Sequence, residues 1–237
     1  MKLDLKNRFR NLVSKPISDP ILIFGFPKSG TSAITALLAQ RTNKTVTLDT
    51  KYLWEPFISK IKTGDINLSK HINKYSYPFS KEIIKEPNMV FIIDKLLTFY
   101  PNPKVLIIKR DKLTNIKSIL DRLQIPGDLE INPKKENINK NWINFILKDD
   151  LHYIDVLNNH YLKAEKNLDL LKCLNPVYIN YEDFKYNKKA EIDRIANELS
   201  LEPKFEIDHL LDVQYQPKGK NNKDVKSFFG NNLKKLI

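Results

Sequence analysis

Residues 20–40 form the stretch that most constrains how this chain can fold. Four consecutive apolar residues at 21–24 are followed by Gly25 and Gly30. A short continuous apolar run predicts a strand that is covered on both faces. From Ile34 onward the apolar residues recur at helical spacing, so the next element should be a helix with one face in the core. Because glycine permits positive φ and close backbone approach, the stretch predicts a buried strand, a tight turn and a helix start.

The turn between this strand and this helix has the composition of an anion site. Lys28 lies in the turn, and Ser29, Thr31 and Ser32 supply hydroxyl groups. A helix N-terminus adds free N–H groups and a partial positive charge, so we predict that a phosphate binds here. The spacing resembles the motif G-x4-G-K-[ST], except that Thr31 stands where the motif has its lysine. A glycine turn with an incidental lysine is the alternative that this motif alone leaves open.

A second pair of phosphate-binding side chains follows a later apolar run. Residues 104–109 predict another buried strand, and Arg110 and Asp111 come directly after it, with Asp111 as a candidate helix N-cap. Ser118 lies eight residues beyond Arg110. This spacing places a guanidinium group and a hydroxyl group on the same side of a helix entrance, which suits a phosphate.

Strands and helices alternate along the whole chain. A helical pattern at 90–100 is stopped by Pro101, and residues 138–171 predict one long helix or a broken pair. Alternation of this kind predicts an α/β three-layer sandwich with a central, mainly parallel sheet, similar to that of the P-loop NTPases. The predicted strands lie at 21–24, 45–48, 82–87, 104–109 and 176–181.

No repeat or linker divides the sequence, so we expect a single domain over residues 1–237. It would comprise a basic N-terminal arm or helix at 1–19, a core at 20–223 and a C-terminal tail at 224–237. The single cysteine, Cys173, excludes an intrachain disulfide framework, and the four histidines form no metal-ligand cluster in the sequence. The sequence contains neither a transmembrane run nor a signal peptide, so we expect a cytoplasmic protein without a bound metal.

The charge balance favours polyanionic partners. The chain has 40 basic and 28 acidic residues, a net charge of +12. A cofactor that carries several phosphates fits this excess. Nucleic acid is not expected as a partner, because the sequence has neither a recognition-helix nor an aromatic-platform signature. A generally lysine-rich, solvated surface also explains the excess.

Taken together, the two motifs resemble those of the sulfotransferases that use 3′-phosphoadenosine 5′-phosphosulfate (PAPS). The sequence PKSGTS at 27–32 is similar to their 5′-phosphosulfate loop, and Arg110 with Ser118 is similar to their 3′-phosphate site. The likeness extends over about residues 20–223. Lys85 stands where many members have a lysine, and residues 178–184 are similar to their late strand. More loosely, Lys218, Gly219 and Lys220 match the basic loop that closes over the 3′-phosphate and adenine.

The resemblance implies a reaction and a set of roles. A sulfuryl group would move from PAPS to an acceptor, a small-molecule or glycan hydroxyl, by in-line displacement without a metal. Lys28 and Lys85 would stabilise the charge that develops on the oxygens. Arg110 and Ser118 would anchor the 3′-phosphate. The main-chain N–H groups of Ser29, Gly30, Thr31 and Ser32 would hold the 5′-phosphate.

The sequence departs from the family pattern at two positions. Lys112 replaces the usual proline after the motif arginine, and Pro87 stands where the cytosolic small-molecule branch has its catalytic histidine. The resemblance is therefore closer to members whose base is a glutamate on the loop after the second strand. This comparison indicates Glu55 as the base, with Glu86 as its main competitor and Asp49 as a third candidate.

Two alternative functions remain open at this level. One is a P-loop kinase, although the lysine of its motif is missing and the strand that ends at Arg110 offers no aspartate for Mg²⁺. The other is a non-catalytic basic module that binds nucleic acid or a polyanionic glycan.

Overall fold

Five strands and eleven helices alternate along the described part of the computed structural model, which comprises residues 2–148, 150–215 and 222–237, with side chains from residue 6. Short 3₁₀ segments connect several of them. The strands are β1 Ile21–Phe24, β2 Val46–Thr47, β3 Ile83–Lys85, β4 Lys104–Lys109 and β5 Val177–Asn180. The helices are α1 Lys2–Val13, α2 Thr31–Thr42, α3 Phe57–Thr63, α4 Leu68–Lys74, α5 Ile93–Phe99, α6 Lys112–Leu123, α7 Ile143–Ile146, α8 Tyr153–Leu168, α9 Tyr181–Tyr186, α10 Lys188–Glu198 and α11 Val225–Phe229.

The strands form one sheet in the order β2-β3-β1-β4-β5, and every described pair is parallel. The first predicted strand, β1, lies at the centre, where Ile23 is in register with Lys85 on one side and with Leu106 on the other. Parallel strands need crossover connections, and helices supply them here. The predicted α/β architecture around a parallel sheet is confirmed.

Side chains of alternate residues along β1 enter two separate cores. Leu22 and Phe24 pack on one face of the sheet with residues of α3 to α6, α8 and α11. Ile21 and Ile23 pack on the other face, chiefly with α2 and α10. All four β1 side chains are buried, and each is worth about 1.5–3 kcal/mol relative to exposure. The sheet therefore lies between two helical layers, as predicted.

The helices that follow β1 and β4 leave the sheet on opposite faces. Helix α2 packs against Ile23, whereas Ile116 and Leu120 of α6 belong to the core on the other face. A crevice between adjacent parallel strands opens where their connections diverge in this way, at the carboxyl ends of the strands. The fold thus places the loop after β1 and the residues after β4 beside one crevice.

Three segments differ from the sequence prediction in detail. The predicted helix at 90–100 begins later, at Ile93, because a 3₁₀ segment, Pro87–Phe91, precedes it. Residues 138–171 form the broken pair α7 and α8. The predicted tail at 224–237 is helical in part, and its Phe228 and Phe229 are buried in the core. No helix in the described part of the chain combines the length and apolar composition needed to cross a bilayer.

Candidate functional site

The loop after β1 is held in a conformation that only certain residues tolerate. Gly30 is the N-cap of α2 with φ of 88°, and a Cβ atom at this position would collide with the ring of Tyr181. Lys28 also has a positive φ, 68°. The Ser29 N–H donates to the Phe26 carbonyl over 3.1 Å and closes the turn. This turn directs the opening N–H groups of α2, which have no acceptor within the helix, toward the crevice.

Arg110 joins the end of β4 to this loop. Its Nη1 donates to the Lys28 carbonyl over 2.6 Å, and its guanidinium carbon lies 4.6 Å from the centre of the Tyr181 ring. The Tyr161 hydroxyl donates to the Arg110 carbonyl over 2.9 Å. The Nε of Arg110 is buried and has no hydrogen-bond partner among the described residues. A buried donor of this kind is costly to leave unsatisfied, so its position fits an anionic ligand.

Helix α6 brings a hydroxyl group and a second guanidinium group to the same crevice. Asp111 caps the helix, as predicted, and accepts from the Thr114 N–H over 2.9 Å. Ser118 and Arg122 both line the crevice. Arg122 was not among the predicted site residues, although residues four apart on a helix share a face, and Arg122 stands at that distance from Ser118.

Lys85 occupies the centre of the site, at the end of β3. Its side chain is only 1% exposed. Nζ donates to Ser32 Oγ over 3.0 Å and to Asp49 Oδ1 over 2.9 Å. The ion pair with Asp49 and the hydroxyl group compensate for part of the cost of burying the ammonium group. The lysine predicted from the sequence is therefore attached to the opening turn of α2.

The cations perturb one another. Burial, followed by the charges of Arg122, Arg110 and Lys85, lowers the pKa of Lys28 to about 8. Each neighbouring positive charge disfavours the protonated lysine. We call Lys28, Lys85, Arg110 and Arg122 the loop end of the cleft.

The two candidate bases have different surroundings. Glu55 lines the cleft, is partly exposed, and accepts one hydrogen bond through Oε1, from Ser59 Oγ over 2.7 Å. Its other carboxylate oxygen has no hydrogen-bond partner within the described residues. Because the carboxylate is held only by Ser59 of the following helix, α3, its other oxygen remains available to a ligand in the cleft.

Glu86 is 2% exposed, and both of its carboxylate oxygens accept hydrogen bonds. Oε2 accepts from the Thr50 N–H over 2.9 Å and from Trp54 Nε1 over 3.1 Å, and Oε1 accepts from the Asn88 N–H and Nδ2, both over 3.2 Å. Burial raises the pKa of Glu86 to about 7, against the effect of the hydrogen bonds, which lower it. Glu86 thus fixes the loop that carries Trp54 and Glu55.

A single cleft of about 1050 Å³ collects these residues. Of the predicted site residues, it brings together Lys28, Gly30, Thr31, Ser32, Glu55, Lys85, Arg110 and Ser118, with Asp49 and Glu86. Ser29 lies behind the loop, 1% exposed, and is not among the lining residues. Lys218, Gly219 and Lys220 lie outside the described residues. Tyr181, which packs on Gly30 and Arg110, and Arg122 are two of the lining residues that the prediction missed.

Comparison with solved structures finds the same architecture in several sulfotransferases. One from Mycobacterium tuberculosis H37Rv, STF1, matches with a TM-score of 0.53 and 11% identity over 96% of this chain and 80% of the other. A sulfotransferase from Alicyclobacillus acidocaldarius matches with a TM-score of 0.50 and 14% identity over 93% and 95%. The sulfotransferase domain from the curacin biosynthetic pathway matches with a TM-score of 0.50 and 14% identity over 81% and 76%.

Neither a model of a protein family nor a curated protein sequence matches the chain. The identities to the solved structures are also low, so the likeness concerns the three-dimensional arrangement of the chain. This chain has the sulfotransferase fold.

Proposed function

We propose that this protein is a sulfotransferase that moves a sulfuryl group from PAPS to a hydroxyl acceptor. The observation that carries the proposal is the loop end of the cleft, where four cationic side chains meet the N-terminus of α2. An anion with several charged groups would satisfy this arrangement better than a single phosphate. The fold of the solved sulfotransferases supports the same assignment.

The contacts at the loop end suggest one orientation for the donor. The unsatisfied Nε of Arg110, the Ser118 hydroxyl and Arg122 would hold the 3′-phosphate. The N–H groups of Gly30, Thr31 and Ser32 would hold the 5′-phosphate, because the Ser29 N–H is already bonded to Phe26. The predicted roles of Lys218, Gly219 and Lys220 over the 3′-phosphate stay proposals.

The transfer itself needs a base and charge stabilisation. In the step we propose, Glu55 takes the proton of the acceptor hydroxyl, the acceptor oxygen forms a bond to sulfur, and the bond from sulfur to the 5′-phosphate oxygen breaks. The products are a sulfate ester and 3′-phosphoadenosine 5′-phosphate (the bisphosphate). Lys28 and Lys85 stabilise the charge on the bridging and sulfuryl oxygens. Glu86 acts as a positioning residue, because all four of its hydrogen bonds hold neighbouring backbone and side chains.

Calorimetry with the bisphosphate and with ATP tests the donor site. The bisphosphate should bind more tightly, and Arg110→Ala should weaken it by about 1.5–3 kcal/mol, the scale of a hydrogen bond to a charged group. Lys109→Ala is the matched control, because Lys109 is the adjacent cation, lies over Tyr178 with Nζ 5.2 Å from the ring centre, and does not line the cleft. Equal affinities for ATP and the bisphosphate would favour the kinase alternative.

A transfer assay with labelled PAPS and pooled hydroxylated acceptors tests the reaction. We expect labelled product from the wild-type protein and none after Lys28→Met with Lys85→Met. If the bisphosphate binds tightly but no acceptor becomes labelled, a non-catalytic binding module becomes the better description.

A further inference from the structure

One part of the cleft is built from aromatic rings. Phe145 and His160 stack with ring centres 4.7 Å apart and planes 5° apart. Trp142 meets Phe145 edge-on at 5.5 Å, and Phe91 lies 5.8 Å from His160 and 6.2 Å from Phe145. All four rings line the cleft. We call Phe91, Trp142, Phe145 and His160 the aromatic end.

A lysine covers this aromatic end. Lys62, from α3, places its Nζ 4.5 Å from the centre of the Phe91 ring and lines the cleft. It forms no ion pair with any described residue. Lys148 and Lys163 add positive charge nearby, since both, with Lys62, act on His160. Lys62 is therefore an exposed cation at the cleft that the anionic group of a ligand can reach.

His160 does not add to this charge at neutral pH. Burial, followed by the charges of Lys62, Lys163 and Lys148, lowers the pKa of His160 to about 4. Its ring is therefore neutral and contributes an aromatic surface stacked on Phe145. The neutral rings and the ammonium group together offer an apolar, aromatic surface with a positive charge beside it.

Different cations act on Lys28 and on Lys62. The charges that act on Lys28 belong to Arg122, Arg110 and Lys85, whereas the cation that acts on Lys62 is Lys163. Glu55 also interacts with Lys62 and raises its pKa, against the larger effect of burial. The candidate base Glu55 therefore lies within electrostatic range of Lys62.

We infer that the acceptor is an aromatic hydroxyl compound that carries an anionic group, with its ring against Phe145 and Trp142 and its anion paired with Lys62. The inference rests on the proposed sulfuryl transfer. An aromatic anion can contact both the ring surface and Lys62, whereas a neutral acceptor offers Lys62 no opposite charge. The loop cations would meanwhile hold the donor.

Binding of a defined pair of probes tests this. The anionic probe is 6-hydroxy-2-naphthoate, and the neutral one is 6-hydroxy-2-naphthamide, which has the same ring and hydroxyl group. Calorimetry is done at pH 7 with the full chain saturated with the bisphosphate. We expect the carboxylate to bind at least about tenfold more tightly than the amide, a difference that corresponds to one ionic contact.

Matched variants locate the contact. Lys62→Met should abolish the preference for the carboxylate, and Lys62→Arg should restore most of it. Lys60→Met should change nothing, because Lys60 is exposed like Lys62 and belongs to the same helix but does not line the cleft. Equal binding of the two probes, or equal effects of Lys60→Met and Lys62→Met, would overturn the inference. Circular dichroism shows whether a variant is folded. If a variant is misfolded, the relative affinities of the wild-type protein for the two probes test the inference.

The outcome is distinguishable from failure of the proposed function. Binding of the naphthoate that depends on Lys62, without sulfuryl transfer to any acceptor, would support the anion site and refute the transferase. Transfer to neutral phenols, with no preference for the carboxylate probe, would support the transferase and refute the anion site.

Discussion

Lys28 should take up a proton when the bisphosphate binds. Burial and three neighbouring cations lower the pKa of Lys28 to about 8. The negative charge of a bound phosphate favours the protonated amine, so the pKa of Lys28 rises on binding. Between the lower pKa of the free protein and the higher pKa of the complex, binding is therefore coupled to proton uptake.

The size of the uptake follows from the pKa. At pH 8 about half of the free molecules lack the Lys28 proton, so uptake approaches roughly 0.5 proton per site, and it rises toward about 0.9 at pH 9. Phosphate monoesters ionise near pH 6, so the ligand itself contributes little in this range. Calorimetry in two buffers of different ionisation enthalpy gives the number of protons. Because binding takes up a proton, the affinity for the bisphosphate should fall as the pH rises from 8 to 9.

Two variants isolate the source of the proton. Lys28→Met should abolish the uptake, while Arg122→Met should decrease it at pH 8, because removing that neighbouring charge raises the pKa of Lys28. Lys109→Met should leave it unchanged, since Lys109 lies outside the cleft. The reasoning is refuted if the wild-type protein takes up no proton at pH 8, or if Lys28→Met takes up as many as the wild type.

Three further results are expected. Glu55→Gln should lower kcat at least about a hundredfold in steady-state assays, while the affinity for the bisphosphate stays near that of the wild type. If Glu55→Gln retains activity and Glu86→Gln loses it, Glu86 is the base. The pKa of Glu86 rises from 4.5 to about 7 on folding, so the free energy of unfolding of the wild-type protein should fall by about 3 kcal/mol as the pH rises through that interval. Urea unfolding at pH 5 and pH 8 measures this, and the stability of Glu86→Gln should depend less on pH. Sulfuryl transfer should persist in the presence of a chelator, and its loss, restored by Mg²⁺, would indicate kinase-like metal chemistry.

Local sequence patterns contain the information needed for the sheet and for half of the cleft. The apolar run of β1 and the glycines after it specify a strand, turn and helix without reference to the rest of the chain. In the same way, Asp111 caps α6 by bonding to Thr114, only three residues away. Because the carboxyl ends of parallel strands share one edge, predicting the strands was enough to bring Lys28, Lys85 and Arg110 together.

Contacts between distant segments explain what the sequence prediction missed. Asn232 donates to the carbonyls of Gly127 and Leu129 over 3.0 and 2.8 Å, more than 100 residues away in sequence. No local sequence pattern shows whether a C-terminal segment is an exposed tail or is hydrogen-bonded to a distant loop. Tyr181 likewise follows β5 as an apparent helix start, and its contact with Gly30 depends on the sheet order.

The loop end of the cleft keeps four cations together. Asp49, which is partly exposed, pairs with Lys85, and the Lys28 carbonyl accepts a hydrogen bond from Arg110. The lowered pKa of Lys28 measures part of the resulting repulsion, since the amine gives up its proton more readily than an ordinary lysine. A polyanionic ligand removes this repulsion and satisfies the buried Arg110 Nε at the same time. The free energy of binding therefore includes the relief of an unfavourable arrangement that the fold imposes on these residues, and this favours a multiply charged ligand over a singly charged one.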